Sequence, residues 1–292
     1  MSRVLRVSLL GLLALFAIAP AAHAAKPPTE YFVALGDSYT VGYQDSLGHT
    51  THNGPADQLV PLARNRGYRY KLVNLGCGGA TTYSMLTRID CPEAARTPGG
   101  AGYPGKTQTQ AAVDFIKQHR GKVGLVTISI SGNDVTPCIP VADPIGCIKA
   151  KMKTVRANLG KIVRPLRAAG GKKMRIVGSS YPDVVLGAWV RPEFGDGRFT
   201  LAANSLTSFQ HYLNPGLKKT YASVGGSFVD VTRATGAYGS FDTVATKRYG
   251  RIPAPVARAC ELTYFCSSLG IHMKTPGYHL IAKLEAATLP RR

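Results

Sequence analysis

One serine in the sequence has the setting of an enzyme nucleophile. Ser38 ends the tripeptide Gly36-Asp37-Ser38, directly after an apolar segment, residues 31–35, that predicts a β-strand. A serine hydroxyl is a poor nucleophile until a base removes its proton and a sharp turn presents it. Gly36 permits such a turn. The alternative is structural, with Asp37 stabilising the turn and Ser38 capping a helix.

A histidine near the C-terminus is the best candidate for the base. Most of the other histidines lie in the N-terminal segment or in predicted helices, where a surface or core role is the default. His49 and His52 lie in the loop after Ser38 and are the rival bases. His272 precedes the last predicted helix, on a loop that opens onto the same edge as the strand ends. We therefore expect His272 to act as the base.

Two loops at strand ends offer N–H donors for a developing oxyanion. A glycine-rich segment, residues 74–82, follows the second predicted strand and exposes backbone N–H groups. It is not a dinucleotide fingerprint, because Thr81 stands where the third glycine is required. Residues 131–134 end the central strand, and Asn133 there offers a side-chain N–H donor. The alternative for Asn133 is an Asx-turn within its own loop.

Short apolar strands alternate with helical stretches along the chain. Strands are predicted at 31–35, 70–75, 122–130, 174–178 and 227–231, and helices at 56–66, 108–119, 148–169, 201–221 and 276–287. This alternation predicts an α/β fold. We expect a single flavodoxin-like three-layer sandwich over residues 30–290, with a central, mainly parallel sheet of about five strands flanked by helices. Ligands bind such sheets at the carboxyl ends of the strands, where the motifs above lie.

The motifs together resemble the SGNH (GDSL-like) hydrolase superfamily. They are Gly-Asp-Ser-Tyr-Thr at 36–40, Gly-Gly-Ala-Thr-Thr at 78–82, Gly-Asn-Asp at 132–134 and Ile-His at 271–272. The resemblance covers about residues 31–287 and implies that Ser38 is the nucleophile and His272 the general base. It also implies an oxyanion hole formed by the N–H groups of Ser38 and Gly79 and the side chain of Asn133.

The sequence departs from the family pattern at two positions. Tyr39 stands where leucine usually follows the serine, which changes the lining of the pocket and not the reaction. Many members carry an aspartate three residues before the histidine, whereas this chain has Leu269. Residues 262–271 contain no carboxylate. Some relatives orient the histidine with a backbone carbonyl, which residues 267–270 could supply, and the sequence alone nominates no acid.

The N-terminus has the pattern of a secretory signal peptide. Arg3 and Arg6 precede an apolar run at 7–18, and Ala22-His23-Ala24 gives a small-x-small cleavage site. The run is too short and too proline-interrupted to favour an uncleaved membrane anchor. We expect a signal peptide over residues 1–24, cleavage near Ala24 and a secreted, extracytoplasmic protein.

Six cysteines fit an oxidising compartment. Fifteen pairings are possible, but short separations favour neighbours, namely Cys77 with Cys91, Cys138 with Cys147 and Cys260 with Cys266. The cysteines lack zinc-site spacing, so a metal site is not expected. No cofactor is expected either. The three local pairs are similar to those of secreted, disulfide-bearing actinobacterial lipases and esterases of this family.

The chain is strongly basic, with 36 Lys and Arg against 16 Asp and Glu and a net charge of +20. An anionic envelope surface is therefore a candidate partner. Nucleic acid is not expected, because the cations are scattered and form no stripe interleaved with aromatic residues. We expect a monomer.

These observations predict a secreted serine ester hydrolase, a lipase or carboxylesterase that forms an acyl-enzyme on Ser38. Its substrate would be a lipid ester, a short acyl ester or an acetylated glycan. One alternative is a non-catalytic envelope-binding protein of the same fold, which the missing acid at position 269 motivates. Another is an acyl-esterase or acyltransferase that acts on cell-envelope glycans from the same site.

Overall fold

The apolar segments of the sequence form a central parallel sheet of five strands. The computed structural model describes residues 27–292, so the expected signal peptide lies outside the described residues. The strands are β1 (Thr29–Gly36), β2 (Arg69–Asn74), β3 (Val123–Ser129), β4 (Arg175–Ser179) and β5 (Ser227–Val229). Their order is β2-β1-β3-β4-β5, and every neighbouring pair is parallel. This is the flavodoxin-like order, which confirms the predicted fold class.

Helices cover both faces of the sheet. The longer ones are α1 (Pro55–Arg64), α3 (Gln108–Gln118), α5 (Pro144–Gly170), α6 (Gly197–Ser208), α7 (Asn214–Ala222), α9 (Ala254–Leu262) and α11 (Thr275–Ala287). Single turns form α2 (Ser84–Thr87), α4 (Gly132–Val135), α8 (Val231–Ala234) and α10 (Phe265–Ser268). A π-turn (Phe209–Leu213) joins α6 to α7, so the single helix predicted at 201–221 is two helices around an irregular turn. Pro215, which has no N–H to donate, lies in the first turn of α7.

The alternation of side chains along β1 divides the core into two layers. Val33 and Leu35 pack with α3, α5 and α7 on one face of the sheet. Phe32 and Ala34 pack with α1 and α11 on the other. All four side chains are completely buried. The central sheet is thus covered on both sides, and only its edges can hold a site open to solvent.

A smaller apolar cluster lies outside these two layers. It includes Leu186, Ala202, Ile252 and Val256. A two-stranded antiparallel hairpin, β6 (Thr243–Thr246) and β7 (Gly250–Pro253), packs there with α9. The hairpin was not predicted from the sequence, because its exposed residues have no regular apolar period.

Three disulfide bonds pair the cysteines as predicted, each with its nearest neighbour. The bonds are Cys77–Cys91, Cys138–Cys147 and Cys260–Cys266. The two cysteines of each bond are at most 14 residues apart in sequence. A disulfide that closes such a short loop stabilises the fold less than one that closes a long loop. No helix among residues 27–292 is long and apolar enough to span a membrane.

Candidate active site

The turn that presents Ser38 depends on a glycine at the end of β1. Gly36 has a φ of +135°, and a Cβ at this position would lie 2.0 Å from the carbonyl oxygen of Ser129. Immediately afterwards, the N–H of Asp37 donates to that same carbonyl at 3.1 Å. Only glycine fits here, and the close approach to β3 lets the chain leave the sheet directly before the serine.

The structure brings Ser38 and His272 together, although 234 residues separate them in sequence. His272 Nε2 lies 2.9 Å from Ser38 Oγ. The histidine lies between α10 and α11, and its own carbonyl accepts the N–H of Tyr264 at 3.1 Å. Both Ser38 and His272 are 9% exposed. The pair is therefore largely shielded from bulk water, but a small part of each residue remains accessible to a ligand.

The carboxylate of Asp45 orients the histidine. Asp45 Oδ1 lies 2.8 Å from His272 Nδ1, and Oδ2 accepts the backbone N–H of His272 at 3.0 Å. The contact at Nδ1 favours the tautomer with the proton on that nitrogen, which leaves Nε2 free to accept the serine proton, and the backbone contact fixes the carboxylate beside the ring. The sequence left the orienting partner of His272 open, with a carbonyl of residues 267–270 as one possibility; in the structure the contact to Nδ1 is made by Asp45 instead. The carboxylate comes from the loop after β1 and not from the segment before the histidine.

Gly270, two residues before His272, leaves room for the Asp45 carboxylate. A Cβ at Gly270 would lie 2.3 Å from Asp45 Oδ2. Leu269 just before it adopts a left-handed conformation with a φ of +60°. The backbone beside His272 is thus shaped to admit a carboxylate from elsewhere in the chain. That signal could have suggested a distant acid, but it could not have identified Asp45.

The rival histidines do not contact Ser38. The ring of His49 bonds through Nδ1 to the carbonyl of Thr50 at 2.8 Å. The ring of His52 lies 3.1 Å from Asp57 Oδ1, and its side chain is 67% exposed. Both hydrogen bonds are local to the loop and the start of α1, and neither ring bonds to the serine.

The predicted oxyanion donors line the same cleft as the serine and the histidine. Gly79, Asn133, Ser38 and His272 all contribute to its wall. Gly79 has a φ of +73°, and a Cβ there would meet nothing within 4 Å, so the space that a side chain would occupy is open. Asn133 Nδ2 donates to the carbonyl of Ala80 at 2.9 Å. This bond uses one of the two N–H groups of the amide and leaves the other for the cleft.

The bond from Asn133 also argues against the Asx-turn, because the side chain reaches a different loop. The neighbouring Asp134 strengthens the connection between the two donor loops. Its carboxylate accepts the N–H of Thr82 at 2.9 Å and the hydroxyl of Thr82 at 2.6 Å. The glycine-rich loop and the Gly-Asn-Asp loop are therefore held at a fixed separation before any ligand arrives.

A buried carboxyl directly precedes Ser38 in the chain. Asp37 is 1% exposed and accepts the hydroxyl of Tyr181 and, at 3.0 Å, the N–H of Tyr39. Burial raises the pKa of Asp37 to about 6, against the opposing effect of the Tyr181 hydrogen bond. Tyr39 in turn donates its hydroxyl to the carbonyl of Ile271 at 2.6 Å. Tyr39 thus holds the residue before His272, a contact that was not predicted from the sequence.

An apolar pocket opens beside the cleft that Ser38 and His272 line. Ser38 and Asn133 lie on its rim, and Tyr39 contributes to its wall as the sequence suggested. Most of the remaining lining is aliphatic or aromatic, namely Val135, Ile139, Ile148, Val184, Val185, Phe209 and Leu213. The wall residues come from α4, the start of α5, a 3₁₀ helix (Val184–Val190) and the π-turn. A ligand whose apolar part filled this pocket would therefore place its polar end at Ser38.

Comparison with known proteins adds the family to this geometry. The model of the GDSL-like lipase/acylhydrolase family matches residues 34–280. Lipase Lip_vut3 from a goat rumen metagenome has the same fold, with a TM-score of 0.55 at 16% identity over 90% of this chain and 99% of that one. Among curated protein sequences, none matches the chain.

Two further solved structures are similar at lower scores. An extracellular lipase from Streptomyces rimosus has a TM-score of 0.46 and 18% identity over 80% of this chain and 99% of that one. A phospholipase A1 from Streptomyces albidoflavus NA297 has a TM-score of 0.44 and 18% identity over 79% and 96% of the two chains.

Proposed function

The chain belongs to the GDSL-like lipase/acylhydrolase family of ester hydrolases, and we propose that it cleaves carboxylic esters through an acyl-enzyme on Ser38. The observation that carries this proposal is the continuous set of contacts from Ser38 Oγ through the His272 ring to Asp45, at the rim of an apolar pocket. Such a set of groups is what activation of a serine hydroxyl requires.

In the proposed reaction, His272 Nε2 takes the proton of Ser38 as Oγ forms a bond to the ester carbonyl carbon. The carbonyl electron pair moves to its oxygen, and the N–H groups of Ser38, Gly79 and Asn133 stabilise the resulting oxyanion. As the tetrahedral intermediate collapses, the bond to the alcohol oxygen breaks and His272 returns the proton to that oxygen. A water molecule then repeats the sequence on the acyl-enzyme and releases the acid.

The apolar pocket supports an acyl group as the part of the substrate that enters the protein. Each methylene of an acyl chain that moves from water into contact with the aliphatic wall stabilises binding by about 0.8 kcal/mol. The alcohol part would lie in the cleft on the His272 side. A lipid ester or a short acyl ester fits this division directly, and an acetylated glycan would place only a methyl group in the pocket.

Export of the protein is also part of the proposal. The N-terminal pattern of residues 1–24 and the three disulfides both support a secreted protein, because disulfides persist in oxidising compartments. We propose that the exported chain carries one hydrolase domain over residues 30–290 and acts as a monomer.

Reaction with a fluorophosphonate probe tests the nucleophile. This electrophile is attacked by an activated serine and leaves a stable covalent adduct. We expect the native protein to be labelled and Ser38→Ala to remain unlabelled, with intact mass spectrometry as the measurement. Labelling of both proteins would identify another nucleophile, and labelling of neither would mean that Ser38 is not activated.

The same test separates the enzyme from a non-catalytic envelope-binding protein. That alternative depended on the missing acid at position 269. Asp45 supplies a carboxylate to His272 from another loop, so the reason for expecting an inactive site no longer applies. An unlabelled native protein would restore it.

Loss of one oxyanion donor has a characteristic effect on turnover. Asn133→Ala is expected to lower kcat by about 100-fold to 1,000-fold, because the donor acts most strongly on charge that develops in the transition state. The KM for a p-nitrophenyl ester should change little. Steady-state kinetics measures both constants, and Asn65→Ala, at the exposed end of α1, serves as a matched control. A rise in KM at constant kcat would assign Asn133 to substrate binding instead.

A further inference from the structure

A strongly basic groove lies behind the wall of the apolar pocket. Its basic side chains come from α5, the π-turn and α7, namely Lys149, Lys153, Arg156, His211 and Lys219. All five side chains belong to exposed residues. None of them takes part in an ion pair within the described chain. The groove, which we call the basic groove, contains no carboxylate in its lining.

The elements that form the basic groove are devoid of acidic residues. Helix α5 (Pro144–Gly170) carries seven lysines and arginines and no aspartate or glutamate, and residues 197–229 also contain none. Lys149 and Lys153 are four residues apart, so they lie on the same face of the helix and repel each other. This concentration of uncompensated positive charge favours an anion from outside the protein.

Packing holds one cation of the basic groove in place. A Cβ at Gly216 on α7 would lie 2.9 Å from Met152 Cε and 3.3 Å from Arg156 Cδ. The glycine therefore lets α7 approach α5 and leaves room for the aliphatic part of Arg156. An arginine whose stem is packed keeps its guanidinium at the surface, and a guanidinium binds phosphate oxygens with two parallel hydrogen bonds.

The basic groove and the apolar pocket share their wall. Ile148 lines the pocket, and Lys149, the next residue, lines the groove. On the other side, Phe209 and Leu213 line the pocket while His211 between them lines the groove. The cations from Lys149 to Arg156 span about 10 Å of helix. The groove and the pocket are therefore lined by alternating residues of the same stretches of α5 and the π-turn.

We propose that the basic groove binds the phosphate groups of an anionic lipid surface and holds the protein on it. The apolar pocket at the same wall favours a lipid surface over phosphate-bearing polymers, because lipids present phosphates and acyl esters together. Binding depends on the groove alone, whereas its purpose, to bring ester substrates to Ser38, rests on the proposed function.

Vesicle binding tests the proposal. The variant has Lys149→Gln, Lys153→Gln and Arg156→Gln, and the vesicles contain either phosphatidylglycerol with phosphatidylcholine or phosphatidylcholine alone. At about 1 kcal/mol per cation near an anionic surface, the triple variant should bind phosphatidylglycerol vesicles roughly 100-fold more weakly than the native protein. Neither protein should bind phosphatidylcholine vesicles. Cosedimentation over a range of lipid concentrations gives the partition constants.

A second triple variant controls for total charge. Lys172, Lys173 and Arg175 line another groove at the amino end of β4, the edge of the sheet opposite Ser38, and all three are exposed. Their replacement by glutamine removes the same charge, and we expect a loss of less than about tenfold, through the long-range field alone. Equal losses in the two triple variants, or no loss in either, would overturn the proposal.

Two further measurements separate this proposal from the proposed function. Ser38→Ala should bind phosphatidylglycerol vesicles like the native protein, and the α5 triple variant should hydrolyse a water-soluble p-nitrophenyl ester at the native rate. Titration calorimetry with inorganic phosphate distinguishes the source of the anion. Heat from phosphate binding that the α5 substitutions abolish, together with no binding to vesicles, would make the groove a free-phosphate site and contradict the lipid assignment.

Discussion

His272→Ala is expected to lower kcat for a p-nitrophenyl ester by 10⁵-fold to 10⁶-fold, on the order of the loss when a serine hydrolase loses its base. The reason is the 2.9 Å contact between Nε2 and Ser38 Oγ, which makes His272 the only described residue whose ring bonds to the serine. The imidazole takes part in both halves of the reaction, first as base and then as acid. The KM should change far less, because the apolar pocket does not include His272.

The two loop histidines supply matched controls for this prediction. His49→Ala and His52→Ala each remove an imidazole from the segment that follows Ser38, yet their rings bond to Thr50 and Asp57. Both variants should keep the native kcat. Loss of turnover in either one, with turnover retained in His272→Ala, would show that the base is misassigned. Circular dichroism of each variant identifies any loss that comes from unfolding.

The sheet was predictable because its strands are nearly continuous apolar runs. Residues 122–130 contain the most regular of these, and β3 forms there with all but one of its residues buried. Parallel strands that are buried on both faces have this composition. The hairpin of β6 and β7 was not predictable, because its strands are mostly exposed and their composition does not differ from that of a loop.

The candidate nucleophile, base and oxyanion donors could be proposed from the sequence for a related reason. Each follows an apolar strand or precedes the last helix, and all the strand ends of a parallel sheet meet at one edge. The sequence alone therefore predicts that Ser38, Asn133 and His272 lie close together, without any knowledge of the side-chain geometry. Their spacing also matched a known family pattern.

Asp45 had neither advantage. It lies in an irregular loop that spans most of residues 37–54, with no periodicity to fix where any side chain points. Nothing in the sequence distinguishes it from Asp57, which also pairs with a histidine at 3.1 Å. What separates the two carboxylates is the fold, since only the turn after β1 and the loop before α11 bring Asp45 to His272.

Asp45→Asn tests that distinction and is expected to lower kcat by about 10⁴-fold. Asparagine keeps the size of the side chain, and its amide oxygen can still accept the backbone N–H of His272. Its N–H₂ group, however, would donate to Nδ1, so the ring proton would move to Nε2. That tautomer cannot accept the proton of Ser38, and the positive charge that develops on the ring would lose its carboxylate partner. The rate of fluorophosphonate labelling should fall in parallel with kcat.

Asp57→Asn is the matched control, because it changes the other aspartate–histidine pair of the same region and should leave kcat unchanged. The proton NMR spectrum adds a readout that a purely structural role would not move. The native protein should show a downfield resonance from the His272 Nδ1–H in its bond to Asp45, and Asp45→Asn should lose it while Asp57→Asn retains it. If Asp45→Asn kept more than about a tenth of the native kcat, the carboxylate would not be what activates His272. The carbonyl groups of residues 267–270 would then have to be reconsidered as its orienting partner.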